Sequence, residues 1–268
     1  MSKNPKRVPT NKKFRKELKQ PIFIIGYGRS GTHWLARTLA THTEIRATIE
    51  VQPIFSMVKE MALNFHLEKK YFWQLILRYR WQILISKPKR YLDKSHPNLW
   101  LAEKLAKAFP TAVFLGIERN PYATVASAMV HKGGYAIRRR WRDFPIPNQF
   151  LGIDCQTAKT YENMPAEEKY SLSWLSHHKR MDALKEAFGD SLMVITYEDF
   201  ALQTNEVLDR LETFLGLDSP IEKPEVKLDS LWKWETQLSD MQINNIYAIV
   251  NIPPDKGAYK AILAKDRN

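Results

Sequence analysis

The sequence predicts an α/β protein with three layers, αβα, around a central, mostly parallel sheet. Three observations carry this. Residues 22–25, Ile-Phe-Ile-Ile, are apolar without a break, as expected of a strand covered on both faces. Three glycines at 26, 28 and 31 then lead into a helical pattern at Trp34, Leu35, Thr38 and Leu39. Further along, short apolar runs keep alternating with helical periodicity, without a repeat or a clear linker. That pattern argues one domain with parallel strands.

Taken in order, residues 44–51 read as a second strand ending near Glu50. From Pro53 to about Ile85, aromatic and apolar residues recur at helical spacing among many Lys and Arg. This predicts one or two helices, read as core plus solvated face, as a lid over an acceptor, or as a surface resting on a membrane. A short strand at Tyr91 runs into the polar segment Asp93-Lys-Ser-His-Pro-Asn98, then a helix over 99–109 that Pro110 ends. Ala112 to Ile117 is another buried strand. Pro121 suits the first turn of the helix that follows, which Gly133-Gly134 is expected to break. Residues 135–166, with Arg138-Arg-Arg-Trp-Arg142, read as an irregular loop of functional length. A helix over 167–188, a strand over 192–196, a helix over 205–215 and helical patterning over 234–250 complete the chain. Residues 1–19 read as a basic flexible tail and 20–268 as the single folded domain.

The net charge of +12 and a single cysteine, Cys155, narrow the function. The charge points to an anionic partner: a polyanion, anionic lipid or a phosphate-rich ligand. One cysteine forms no internal disulfide, and no Cys/His cluster suggests a metal site. No signal-peptide stretch and no run of about eighteen apolar residues appears, so the expectation is a cytoplasmic protein, peripheral to a membrane if it meets one.

The glycine loop admits three readings. Strand, tight turn and helix N-terminus together make an anion site, to which Arg29 adds a cation and Ser30, Thr32 and His33 add donors. Gly26-Tyr-Gly-Arg-Ser-Gly31 matches the dinucleotide pattern, with Glu50 at the end of the next strand as the ribose acid. It also has nucleotide-kinase glycine spacing, but Thr32-His33 stands where Lys and a hydroxyl are required. Third, Arg29-Ser-Gly-Thr-His-Trp34 resembles the 5′-phosphosulfate loop of the sulfotransferases that use 3′-phosphoadenylyl sulfate (PAPS). Val113 to Ser127 resembles that family's second signature: a strand, Arg119-Asn-Pro, then Ser127 eight residues after the Arg. Val194-Ile-Thr-Tyr-Glu-Asp-Phe200, Phe214-Leu-Gly and Leu231-Trp-Lys-Trp-Glu235 extend the likeness over about residues 20–245. In motif style the chain is closest to the carbohydrate, protein-tyrosine and bacterial branches.

The resemblance implies a P-loop nucleotide-hydrolase-like fold and transfer of a sulfuryl group from PAPS to a hydroxyl or amine, with no metal. It implies that Arg29, Ser30, Gly31, Thr32 and His33 hold the 5′-phosphosulfate, that Arg119 and Ser127 hold the 3′-phosphate, and that Trp34 and Tyr197 meet adenine. Lys233 is carried over to the 3′-phosphate side and Lys94 to the transferring group. The base stays open between Glu50, slightly favoured, and His96, with Asp93 behind them. Trp34 also reads as packing between helix and sheet, Glu50 as a strand-end ion pair, and His96 as a loop residue. His177, His178 and Met181 read as helix surface and core. The acceptor is expected to be a glycan or a lipid, lined by residues 72–90 and 135–150, with an anionic membrane surface as a further partner and no nucleic acid. The competing functions are an NAD(P)-dependent enzyme and a non-catalytic polyanion or membrane-surface binder.

Overall fold

The computed structural model describes residues 20–259; the basic segment 1–19 and the last residues of the expected domain lie outside them. Five strands, β1 (Ile22–Gly26), β2 (Ile45–Ile49), β3 (Arg90–Lys94), β4 (Val113–Glu118) and β5 (Leu192–Thr196), form one parallel sheet. Their order is β2-β3-β1-β4-β5. Because side chains alternate along a strand, β1 splits its apolar run between two cores. Phe23 and Ile25 face one layer, and Ile22 and Ile24 the other. Covered on both faces, the strand has no need of polar residues, as its sequence suggested.

On the Ile22 and Ile24 face, α1 (Thr32–Ala40) packs through Leu35, Ala36 and Leu39. The opposite face is covered by α2 (Ile54–Leu63), α3 (Glu68–Ser86) and α4 (Ala102–Ala108). Helix α5 (Pro121–Met129) follows β4 and is capped by Asn120, whose side chain accepts from the Ala123 amide at 3.1 Å. Next come α6 (Lys132–Arg139) and the long α7 (Ala166–Phe188), whose Met181 and Leu184 reach the Phe23 layer. Helices α8 (Tyr197–Leu202) and α9 (Thr204–Leu215) return to the α1 side. Two C-terminal helices, α10 (Trp234–Gln237) and α11 (Asp240–Val250), pack on α5 and α7.

Four local expectations are corrected. Gly133 and Gly134 lie inside α6, and the chain turns instead at Val130 and His131. The segment 135–166 carries the end of α6 and short 3₁₀ turns around a small core of Trp141, Phe150, Leu151, Ile153 and Tyr161. The helix expected over 99–109 is a 3₁₀ turn at His96–Trp100 followed by α4. The helix expected over 234–250 is interrupted before Ser239, which starts α11 with a reciprocal cap to Gln242.

Candidate active site

The β1–α1 loop brings backbone very close to the neighbouring strand. A Cβ on Gly26 would lie 2.7 Å from the Ile117 carbonyl oxygen, and one on Gly31, at φ +95°, would lie 2.5 Å from the Tyr197 ring. Both positions therefore need glycine. Gly31 caps α1 without any side-chain hydrogen bond, so the amides of the first turn are not spoken for. On α5 the Asn120 side chain takes up one of the corresponding donors, the Ala123 amide. Of these two helix starts, α1 is the one left open to an anion.

Arg29, inside this loop, holds a left-handed backbone at φ 74°. Its Nε donates to Ser127 Oγ at 3.1 Å. Arg119, at the end of β4, donates from Nη1 to the Arg29 carbonyl at 3.1 Å and from Nη2 to the Ser230 carbonyl at 2.7 Å. Its guanidinium lies 4.2 Å from the centre of the Tyr197 ring, and its buried Nε has no partner. Tyr197 in turn hydrogen-bonds Ser230 Oγ at 2.7 Å. Trp34 stacks on Phe200 at 4.1 Å and sits 5.2 Å from Tyr197, with its indole nitrogen unpartnered. Two fixed cations, a hydroxyl, free helix amides and an aromatic corner thus converge. An orphaned guanidinium N–H beside an open helix N-terminus fits a ligand carrying two anionic groups and an aromatic base.

A second cluster lies beside the first. Glu50, just after β2, is in a left-handed conformation, φ 51°, and its amide donates to the Lys94 carbonyl at 3.0 Å. Its Oε1 accepts from Lys94 Nζ and, at 3.0 Å, from His96 Nδ1. The other oxygen is 3.6 Å from His33 Nε2, while His33 Nδ1 is 2.8 Å from Lys94 Nζ. Burial pushes the Glu50 carboxyl up, but the bonds from His96 and Lys94 outweigh it and hold the group at about 2. Burial, helped by the Lys94 charge, lowers His96 to about 4. Burial and Lys94 also lower His33, and burial lowers Lys94 despite the attraction of Glu50. Near neutral pH the carboxylate is charged and His96 is neutral. Nδ1 must then carry the proton that Glu50 accepts, which leaves Nε2 with a free lone pair. The His96 ring packs on Gly28, where an added Cβ would lie 3.4 Å from Nε2, so the two clusters adjoin.

Glu50, His33, Lys94 and His96 line a cavity of about 680 Å³ that reaches Gly28, Arg29 and Thr32 of the first cluster. Beyond the glycine loop it is lined by Phe55, Leu63, Leu67, Phe144 and Phe150, with Lys59, His131 and Arg138 among them.

The profile described as the sulfotransferase family matches residues 21–220. The chain belongs to the sulfotransferase family. Solved structures agree in fold. A sulfotransferase from Alicyclobacillus acidocaldarius is 18% identical over 90% of this chain and 98% of its own, with a TM-score of 0.50. The sulfotransferase domain from the curacin biosynthetic pathway is 16% identical over 97% and 98%, at 0.52. Mouse sulfotransferase SULT7A1, complexed with PAP, is 18% identical over 92% and 89%, at 0.50. No curated protein matches the sequence. The protein is therefore a transferase of the family whose sulfuryl donor is PAPS.

Strand order removes the dinucleotide alternative. In that fold the ribose acid ends the strand next to β1. Here β3 lies between β1 and β2, and Glu50 is bonded to the β3 residue Lys94 and to His96 just beyond it. Of the residues expected in this sulfotransferase, Arg29, Arg119, Ser127 and Tyr197 come together, as do Glu50, Lys94 and His96. His33, expected among the phosphosulfate donors, points into the Glu50–Lys94 pair because the first turn of α1 faces the end of β3. Lys233 is exposed before α10 and makes no side-chain contact with the Arg119 group. Asp93 is no candidate base: it is fully buried and accepts from Tyr79, Asn98 and Thr48 at 3.0, 2.9 and 3.3 Å. Burial pushes its carboxyl up to about 6 against those bonds. His177 and Met181 are core, and His178 pairs with Glu118.

Two partners escaped sequence reasoning. Ser230 holds Arg119 and Tyr197 from a distant 3₁₀ turn, with no motif to mark it. In the sequence Arg138 is one of a basic run, Arg138-Arg-Arg-Trp-Arg142. It alone of that run bonds Tyr27 Oη, at 3.0 Å, and stacks on Tyr170. Of the two stretches expected to line the acceptor, residues of 135–150 line this cavity and none of 72–90 does.

Proposed function

We propose that the enzyme transfers the sulfuryl group of PAPS to a hydroxyl of an amphiphilic acceptor seated in the cavity, with a lipid or a glycolipid preferred over a bare glycan. The observation that carries this is the joining of the two clusters at Gly28, with a largely apolar cavity wall beyond them. Arg29 and the α1 amides would hold the 5′-phosphosulfate by charge and hydrogen bonding, since a guanidinium does not give up its proton. Arg119 and Ser127 would hold the 3′-phosphate, and Trp34 and Tyr197 would flank adenine. PAPS supplies an activated sulfuryl group on a phosphate leaving group.

For the base, the hydrogen bonds favour His96. Held at about 2, the carboxylate is a weaker base than His96 at about 4, yet it is well suited to fix the tautomer of His96 and to stabilise the imidazolium that forms. His96 Nε2 takes the acceptor proton as the new O–S bond forms. Lys94 stands beside it to neutralise the charge that develops on the departing side. Beyond the Glu50 cluster, Arg140 and Asp143 pair with each other and Lys59 and Arg138 outnumber Glu60 in the wall, which favours an acceptor that carries an anionic group next to its apolar body. The cytoplasmic expectation rests on the sequence alone; among the described residues no helix is long and apolar enough to cross a membrane.

The test is to incubate the full chain with PAPS and separate panels of hydroxylated lipids, glycolipids, free glycans and phenols, following 3′,5′-ADP release and the sulfated product. Turnover confined to the amphiphiles is expected. Turnover with free glycans alone would overturn the acceptor reading, and failure to bind 3′,5′-ADP would overturn the donor reading.

A further inference from the structure

Helix α3 is apolar on two opposite sides. Toward the protein, Leu75, Ile76 and Tyr79 are fully buried. Away from it, Trp73, Leu77, Trp81 and Leu84 follow at spacings of four, four and three, which at about 3.6 residues per turn makes one stripe. These side chains are 68%, 64%, 60% and 54% exposed, and Ile85 and Phe65 widen the patch. A surface helix normally gives its outer side to polar residues. The rim of the stripe is basic. By helical position Lys69 and Arg80 border one edge and Arg78 the other, and Lys87 and Lys89 follow the C-terminus, all of them exposed. None of the five forms an ion pair among the described residues. The helix's one acid, Glu68, is already paired with Lys104.

We propose that this face of α3 docks on an anionic lipid bilayer, lying in the headgroup plane with Trp73, Leu77 and Trp81 in the interfacial layer. Charge decides the occupant. An apolar centre ringed by unpaired cations complements a surface that is negative above and apolar below. A second copy of the same face would bring Arg78 and Arg80 against their own like charges. Indole side chains suit the boundary because one edge is apolar and the other donates a hydrogen bond. The stripe begins at the cavity: Asn64 and Leu67 line it, and exposed Phe65 stands between them. Docking would hold that corner of the cavity at the lipid surface, which suits an amphiphilic acceptor, although the docking itself does not rest on the proposed reaction.

The experiment is co-sedimentation of the full chain with phosphatidylcholine vesicles containing about 30% phosphatidylglycerol, against phosphatidylcholine alone, with brominated lipid to quench tryptophan. Binding and quenching are expected only with the anionic vesicles. Trp73→Ser combined with Trp81→Ser should lower the partition coefficient at least about tenfold through lost apolar contact. Affinity for 3′,5′-ADP should stay unchanged, which shows an intact fold and keeps this result separate from the reaction. Trp73→Phe with Trp81→Phe should keep binding while losing most of the quenching. Equal binding by the Ser variant and the native chain would overturn the proposal, placing the attraction elsewhere. So would absence of vesicle binding, including the case where sedimentation shows a dimer that the Ser variant dissolves.

Discussion

Ser127→Ala tests the two-phosphate reading with little disturbance to the fold. Ser127 Oγ accepts the Arg29 Nε–H at 3.1 Å, so its own proton is left to donate, and the neighbouring Arg119 Nε–H has no partner. An anionic group reaching both would gain one hydroxyl bond and one guanidinium bond. A hydrogen bond to a charged acceptor contributes about 1.5–3 kcal/mol, which is about 10- to 150-fold in affinity. The removed hydroxyl is only half-buried, so the stability cost should stay below about 1 kcal/mol. Calorimetric titration with 3′,5′-ADP and with 5′-AMP isolates the contact. The variant should bind 3′,5′-ADP about 10- to 150-fold more weakly and 5′-AMP as the native chain does. Equal loss for both nucleotides would mean that Ser127 merely positions Arg29, and no loss for either would refute the assignment of the 3′-phosphate to this corner.

Three further outcomes follow from the geometry. Gly31→Ala places a Cβ 2.5 Å from the Tyr197 ring at φ +95°, so thermal unfolding should show a loss of about 1–3 kcal/mol, with weaker 3′,5′-ADP binding because Tyr197 backs Arg119. Asp93→Ala strands the buried donors of Tyr79 and Asn98 and should cost about 2–4 kcal/mol in urea unfolding. Stability should also fall on acidification. The unfolded chain takes up protons at His96 near pH 6.5 and the folded one only near 4, so this contribution is present above 6.5 and lost as pH drops toward 4; Glu50, held at about 2, adds a further loss below 4.5. Asp93, pushed up to about 6, opposes part of this between 6 and 3.8. His96→Gln should reduce the fall of the urea midpoint between pH 7 and pH 5, leaving the part due to His177, which burial lowers to about 3.

The sheet was legible because each strand carries its own signal. Ile22 to Ile25 is apolar throughout since both faces are covered, and Pro121 and Asn120 announce the turn from β4 to α5. What failed were positions where tertiary packing overrides a local rule. Gly133 and Gly134 look like breakers, yet they lie in α6 where Tyr170 comes within 3.0 Å of a Cβ built on Gly134, so the second glycine is a spacing device inside a helix. The two sides of α3 were also opaque. The sequence leaves core, lid and membrane-resting surface open for that stretch, because hydrophobicity does not tell which partner, protein or other, covers each side.

The site was legible in its residues but not in its division of labour. The resemblance leaves the base open between Glu50 and His96 and gives Lys94 to the transferring group, while the structure bonds both Lys94 and His96 to Glu50. The parallel order β2-β3-β1 sets the ends of β2 and β3 side by side, so the residue after β2 meets the last residue of β3 and the turn beyond it. Once they meet, their proton affinities are coupled: Lys94 and His96 pull Glu50 down to about 2, and burial with Lys94 pulls His96 to about 4. On the proposed reading, this coupling makes His96 the base and Glu50 the group that orients it, two roles distinguishable by substitution. Glu50→Gln keeps an oxygen for His96 Nδ1–H and should cost turnover about 10- to 100-fold by losing charge alone. His96→Asn removes the proton acceptor and should cost about 10²- to 10⁴-fold. The reverse ranking, measured as PAPS turnover with an acceptor that the panel identifies, would make Glu50 the base and His96 its support.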